Sequence, residues 1–98
     1  MGQSLIIIKA QFKLRNRHIS EWGALAANQN MVLRLVRQEN DQKLSACGDN
    51  KLVRADLRYW QSARLINLIA SQRDERQQMK VRHWQEETYL EEASQALD

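Results

Sequence analysis

The chain has 98 residues, no proline, three glycines, one cysteine and a formal net charge of +3. Ninety-eight residues make one small domain, so we expect a single helical domain over 1–98, too short for a deep enzyme cleft. The near absence of Gly and Pro argues against a sheet protein with many tight turns, and the abundant Ala, Leu, Gln, Glu and Arg favour long helices.

The lone Cys47 rules out an intrachain disulfide, which fits a reducing compartment. An intermolecular disulfide in a secreted dimer is the alternative. The apolar run at residues 5–8 ends at Lys9, so it is too short for a membrane span or the core of a signal peptide. We therefore expect a cytoplasmic protein without a membrane span.

The first helical arm is expected over about residues 4–46. Apolar side chains recur there at steps of three and four, which is typical of a helix face packed on a partner helix. This stripe contains Leu5, Ile8, Phe12, Ile19, Trp22, Ala26, Leu33, Val36 and Cys47. Polar residues interrupt it at Arg15, Gln29, Asn40 and Lys43. A mixed bundle is therefore favoured over a long unbroken coiled coil.

The start of the first arm allows a second interpretation. Residues 4–14 also alternate with a period of two, which is typical of a strand. Such a strand would need a second copy to pair with, because no other segment has a strand pattern. Helix is favoured, with a break near residues 15–20 as an alternative.

A turn is expected at residues 47–50. Gly48 suits the left-handed position that follows a helix, and Asp49 or Asn50 can cap the next helix. The second arm is expected over about residues 51–96. Its segment 71–78 has no apolar side chain, so a break there would give three helices. No internal repeat is apparent.

Charge placement predicts how the arms pair. Residues 1–82 carry a net charge of +8 and residues 83–98 a net charge of −5. Folding at the turn places position i opposite roughly position 98−i, so the basic start meets the acidic end and the antiparallel arrangement is favoured. In this register His18 is expected nearer to Arg82 and Lys80 than to a carboxylate. The predicted fold is all-α, an antiparallel hairpin of two long helices, completed to a bundle by dimerisation or by a partner.

Candidate catalytic and metal-binding residues are sparse. His18, His83 and Cys47 lack the spacing of a metal site and show no nucleophile–base pattern. Glu87 and Glu91 share a helix face, but the segment expected opposite them is basic. No glycine-rich phosphate loop is present. The sequence predicts a protein that is not an enzyme, with no catalytic residues, cofactor, metal or small-molecule substrate.

The basic residues favour one alternative function. Clustered Arg and Lys side chains attract backbone phosphates, and exposed aromatic rings can stack on bases. The alternative prediction is a nucleic-acid-binding regulator. Its candidate residues are Arg54, Arg58, Arg73, Arg76 and Lys80.

Three tryptophans are many for this length, and they favour a protein-binding function. Indole rings often anchor interfaces, and a two-helix hairpin leaves some of them uncovered. We predict a protein–protein interaction module, an adaptor, chaperone or regulator, whose partner is another protein or a second copy. The candidate interface residues are Trp22, Leu33, Val36, Trp60 and Trp84. In architecture alone, the hairpin is similar to bacterial secretion chaperones, export-machine stalk proteins and plasmid copy-control proteins, and architecture does not carry function.

Overall fold

The computed structural model describes residues 2–97, and it describes the surroundings of side chains for 5–96. Met1 and Asp98, the ends of the expected domain, lie outside the described residues. The chain forms two helices, α1 (Gly2–Ala46) and α2 (Lys51–Leu97), of 45 and 47 residues. The prediction of an all-α helical hairpin is confirmed.

Both helices are continuous. The strand alternative for residues 4–14 is wrong, and neither 15–20 nor 71–78 interrupts a helix. Residues 71–78 are mostly Gln, Arg, Glu and Asp, and all but Asp and Ser are strong helix formers. This segment therefore has no apolar side chain to bury, but it remains helical.

The turn is fixed by three side-chain and backbone features. Gly48 has a φ of 68°, the left-handed conformation that glycine adopts without steric cost. The Asn50 Oδ1 accepts from the backbone N–H groups two and three residues later, at 3.1 and 3.2 Å, and so caps α2. The Arg54 guanidinium donates to the carbonyl oxygens of Leu44 at 2.9 Å and Gly48 at 3.1 Å, which satisfies one carbonyl at the end of α1 and one in the turn.

The chain divides into two compact units, each pairing a stretch of α1 with a stretch of α2. Unit 1 comprises residues 1–25 and 75–98, and unit 2 comprises residues 26–74. No helix in the described part of the chain has both the length and the apolar character needed to cross a membrane.

Candidate functional site

The helix–helix interior is polar in both units. Among the described side chains, Val36 is the only buried apolar one, with 8 % of its surface exposed. The buried polar side chains are His18, Gln29, Asn40, Gln61, Gln72 and His83. Burying a polar group is unfavourable unless it finds a hydrogen-bond partner, so the partners of these six residues determine how the helices pair.

The buried polar residues recur every eleven positions on each helix. On α1 they are His18, Gln29 and Asn40, and on α2 they are Gln61, Gln72 and His83. Eleven residues make three helical turns and return to the same face within about 20°. Across the interface the pairs are His18 with His83, Gln29 with Gln72, and Asn40 with Gln61. Position i therefore lies opposite 101−i within each unit, so the expected 98−i was wrong, as was the expectation of no internal repeat.

In unit 2 the polar layers are held by amides. The Gln29 Nε2 donates to the Gln72 carbonyl oxygen at 2.9 Å, and the Gln72 Nε2 donates to the Gln29 carbonyl oxygen at 3.0 Å. The Gln61 Nε2 donates to the carbonyl oxygen of Asn40 at 3.0 Å. A one-residue slip would break all three bonds, so these uncharged layers fix the pairing of the helices.

In unit 1 the polar layer is a pair of stacked imidazoles. The rings of His18 and His83 lie 3.7 Å apart with 9° between their planes, and the edge of Trp22 meets His83 at 5.6 Å. The two ring nitrogens of His18 lie 3.3 Å from Glu87 and 3.4 Å from Glu86. The layer is thus built from titratable groups, unlike the amide layers of unit 2.

The surroundings of His18 differ from the sequence-based expectation. It was expected nearer to Arg82 and Lys80 than to a carboxylate, yet it contacts two carboxylates. The three-residue change in register explains this, because it moves α2 by almost one turn past α1.

Four charged side chains beside the histidines form a closed cycle of ion pairs. Arg17 contacts Glu86, and Arg82 contacts Glu21. The cycle closes along each helix, with Arg17 Nε 3.4 Å from Glu21 and Arg82 Nη1 3.1 Å from Glu86. All four side chains are partly exposed, so solvent and salt screen the cycle.

The electrostatic surroundings shift two pKa values in unit 1. The hydrogen bond from Arg82 holds the pKa of the Glu21 carboxyl below its usual value. Burial and the neighbouring His18 lower the pKa of His83, which is only 5 % exposed. The His83 Nε2 lies 3.8 Å from Glu21 and makes no hydrogen bond with any described group. This environment favours the neutral imidazole of His83.

Large apolar side chains lie on the outside. Among those described, sixteen are exposed, by 43–84 % of their surface. In unit 1 they are Leu5, Ile6, Ile8, Phe12, Ile19, Val81, Trp84 and Tyr89. In unit 2 they are Met31, Leu35, Leu52, Val53, Tyr59, Trp60, Ile66 and Ile69.

In unit 1 the apolar stripe predicted to face a partner helix is therefore not the face that α1 presents to α2, whereas in unit 2 its member Val36 is buried together with Gln29 and Asn40. Ile8, Phe12 and Ile19 are 50–63 % exposed, whereas His18, one residue away, is buried. One residue along a helix is a rotation of about 100°, so the stripe points to the side of the hairpin.

Grooves on either side of the helix pair define two surfaces of unit 1. Arg15, Ile19 and Trp22 from α1 line one groove together with Glu87 and Glu91 from α2. Each of these follows directly on a residue that is buried or half-buried in the interface. In an antiparallel pair of helices, the residue directly after each interface residue lies on the same side of the pair, whichever helix it belongs to.

By this rule Ile8 and Trp84 also lie on that side, because they follow Ile7 and His83. Phe12 shares this side, because it lies four residues after Ile8 and seven before Ile19 on the same helix. We define the unit 1 apolar face as Ile8, Phe12, Ile19, Trp22 and Trp84. The groove on the opposite side is lined by Lys13, Arg17, Arg82, Gln85 and Tyr89, among others.

The predicted interface residues occupy different environments. Trp22 is half-buried against His83, and Trp84 is 64 % exposed on the same face of unit 1. In unit 2, Trp60 is 63 % exposed, Leu33 is half-buried and Val36 lies in the interior. The three tryptophans are thus at least partly accessible, and Val36 contributes to packing between the helices.

The predicted nucleic-acid-binding residues are divided between the units. Arg54, Arg58 and Arg73 belong to unit 2, and Arg76 and Lys80 belong to unit 1. Arg54 is half-buried and its guanidinium serves the turn, whereas the other four side chains are exposed.

The described residues contain no group of three or more His, Cys, Asp or Glu side chains placed to hold a metal ion. Cys47 is half-buried at the turn, where its thiol lies 3.1 Å from the carbonyl oxygen of Leu44. His18 and His83 are brought together, but they stack on each other.

The layered polar interior was not predicted from the sequence, although Gln29 and Asn40 were placed on the helix face expected to pack on a partner helix. Its signal was present as the eleven-residue spacing of polar residues on both arms, which a search for seven-residue patterns does not detect. Comparison with protein family models, with curated protein sequences and with solved structures finds no match to this chain.

Proposed function

We propose that this chain is a small helical protein–protein interaction module, an adaptor, chaperone or regulator without catalytic activity, that works in the cytoplasm. The observation that carries this proposal is the inversion of apolar and polar side chains. One described apolar side chain is buried, while sixteen large ones are exposed. Exposed apolar patches of this extent mark binding surfaces in soluble proteins.

The total exposed area supports the same proposal. A folded monomer of 11.5 kDa exposes about 5,800 Å² by the scaling of surface with mass. This chain exposes 7907 Å². The excess of about 2,100 Å² is larger than the roughly 800 Å² that each partner buries in an interface of standard size.

The interior explains how a hairpin can keep its apolar side chains outside. Amide and imidazole layers determine which residues of α1 and α2 meet, and apolar residues such as Leu14, Leu57 and Leu90 are only half-buried. The flanking apolar side chains then remain available to a partner.

Affinity purification of the full chain from its native host, with nuclease treatment and a high-salt wash, tests the proposal. We expect a stoichiometric protein partner to survive both steps, and replacement of Trp84 or Trp60 by Ala to reduce its recovery at least tenfold, as for an interface hot spot. Tyr89→Ala is the matched control, because Tyr89 is 75 % exposed on the opposite groove of unit 1. Equal recovery with all three variants would contradict the proposal.

The same experiment separates the nucleic-acid alternative. If the chain binds phosphates, nuclease treatment abolishes recovery, and binding weakens steeply as salt rises. Arg58→Ala and Arg73→Ala would then weaken binding, because both side chains are exposed on unit 2.

A further inference from the structure

We propose that the unit 1 apolar face binds the same face of a second copy of this chain, so that four helices enclose one apolar core. This inference deepens the proposed function by naming a partner. It rests on an exposed helical stripe, on the area left uncovered and on the placement of charges around the stripe.

The stripe on α1 has the spacing of a helix that packs on another helix. Ile8, Phe12, Ile19 and Trp22 recur at steps of three, four and seven, and α2 leaves the first three at least half exposed. Trp84 on α2 adds a large exposed ring to the same side. A second pair of helices laid on this side would convert the stripe into an interior.

The charges on this side are of both signs. Arg15 and Lys80 are basic, Glu87 and Glu91 are acidic, and each follows a half-buried interface residue. Arg15, Lys80 and Glu91 make no ion pair with any described residue, and Glu87 contacts only His18 among them. A face that carries both signs can match itself when each basic residue meets an acidic one of the second copy, as a two-fold symmetric interface requires.

The internal register shows which residues would meet. When two such faces join about a two-fold axis along the helices, α1 of one copy lies against α2 of the other at the heights set by 101−i. Arg15 then lies within one residue of the height of Glu87 of the second copy, and Ile19 lies within two residues of the height of Trp84 of the second copy. Trp22 lies within one residue of the height of Lys80 of the second copy, an arrangement that suits a cation–π contact.

The alternative of pairing through the opposite groove is less favourable. That side carries Lys13, Arg17 and Arg82 against Glu86, so two copies would bring like charges together. Tyr89 is the exposed aromatic ring among the residues that line it. The uneven charge of the opposite groove therefore favours the unit 1 apolar face.

Sedimentation equilibrium of the full chain tests the proposal. We expect the wild type to have twice the chain mass of 11.5 kDa, and its melting temperature to rise with chain concentration because dimerisation is coupled to folding. Trp84→Glu and Ile19→Glu should raise the dissociation constant about a hundredfold or more, whereas Tyr89→Glu should leave it within about threefold.

A charge exchange tests the orientation of the two copies. Arg15→Glu alone places two acidic residues opposite each other at both symmetric contacts, and Glu87→Arg alone places two basic residues there. Each variant should self-associate about tenfold more weakly, while a mixture of the two should form a heterodimer in which both contacts are of opposite charge. Lys13→Glu, on the opposite groove, should change nothing.

The outcomes are distinct from those of the proposed function. A wild type that is monomeric at about 1 mM, or a dimer that Tyr89→Glu dissociates and Trp84→Glu does not, overturns the second-copy inference. A monomer that still captures another protein through Trp84 keeps the proposed function. A monomer that captures nothing removes both. If Trp84→Glu and Ile19→Glu fail to fold, the concentration dependence of wild-type melting still decides the question.

Discussion

The two units bury different polar groups between their helices. Each has polar side chains buried between two helices, in two layers in unit 2 and in one layer in unit 1. Unit 2 uses uncharged amides that donate to backbone carbonyls, as in the reciprocal pair Gln29 and Gln72. Unit 1 uses the stacked His18 and His83, surrounded by carboxylates and arginines.

The two units also differ in net charge. Unit 2 has eight Lys and Arg against five acids, a net charge of +3, whereas unit 1 has seven of each and is neutral. In unit 1 the charges are interleaved as ion pairs around the histidines. Unit 2 has a smaller cluster, in which Glu39 pairs with Lys43 at 3.0 Å and with Arg64 at 3.5 Å.

In one hairpin, the groups that fix the pairing of the helices and the groups that respond to pH and salt lie in different units. Amide layers keep their hydrogen bonds at any ordinary pH and salt concentration, so unit 2 should hold the helices in register under all conditions. The layer of unit 1 contains groups that titrate and are screened. Changes of pH and ionic strength should therefore act on unit 1 first.

The largest expected effect comes from placing a charge in the amide layer of unit 2. Gln72→Glu keeps the shape of the side chain but removes the N–H that donates to Gln29 and buries a carboxylate without a partner. We expect a loss of about 3 kcal/mol in the free energy of unfolding at pH 7, measured by urea denaturation. The loss should shrink in acid, where the carboxyl is protonated and can donate again.

Gln77→Glu is the matched control for that substitution. Gln77 is an exposed residue of α2, so its replacement should change the free energy of unfolding by less than about 0.5 kcal/mol. Equal costs for the two substitutions would show that the amide layer does not fix the pairing.

The sequence was sufficient to predict the fold class but not the interior. Absent prolines, the isolated Gly48 and the helix-forming composition led directly to two helices and one turn. The buried residues could not be predicted in this way, because a helical pattern is normally interpreted by assuming that its apolar face is the buried one. Here the apolar Ile19 is outside and the polar His18 is buried.

The charge pattern also could not predict the register of the two helices. Ion pairs between long side chains tolerate a shift of three residues, so a basic segment matches an acidic one at 98−i or at 101−i. Short amide bonds such as that from Gln61 to Asn40 do not tolerate it. Among the predicted interface residues, Trp22 and Trp84 share one face of unit 1, and only the eleven-residue spacing of polar residues indicates that His83 lies between the helices beside them.

The second-largest expected effect is a change with pH in the free energy of unfolding, caused by groups in unit 1. Burial and the adjacent His18 lower the pKa of His83, so the folded chain binds fewer protons than the unfolded chain below a pH of about 6.5. The stabilisation is fully present above that pH and is lost as the pH falls through it toward the folded-state pKa. The charged and titratable groups that face this layer are His18, Glu21, Arg82, Glu86 and Glu87.

The measurement is the free energy of unfolding between pH 5 and 8, with hydrogen exchange to locate the change. The double substitution of His18 and His83 by Gln is the matched variant, because it installs the amides that unit 2 uses at the equivalent positions. The variant should lose the slope below pH 6.5. An unchanged slope would assign the effect to groups outside the histidine layer.

The smallest effect is expected from salt. The cycle of Arg17, Glu21, Arg82 and Glu86 is partly exposed, so raising NaCl to about 1 M shortens the screening length to roughly 3 Å and weakens it. Hydrogen-exchange protection near these residues should fall slightly, while protection around Gln29 and Gln72 should hold or rise.

Arg82→Gln provides the control for the salt effect, because Arg82 bridges both carboxylates of the cycle. The variant should start with lower protection in unit 1 and respond less to salt than the wild type. Removing Arg82 also takes away the group that lowers the pKa of Glu21, so the carboxyl should titrate closer to its ordinary value. A wild type whose two units respond equally to salt would show that the charged cycle does not stabilise unit 1, leaving the histidine stack alone to hold its helices in register.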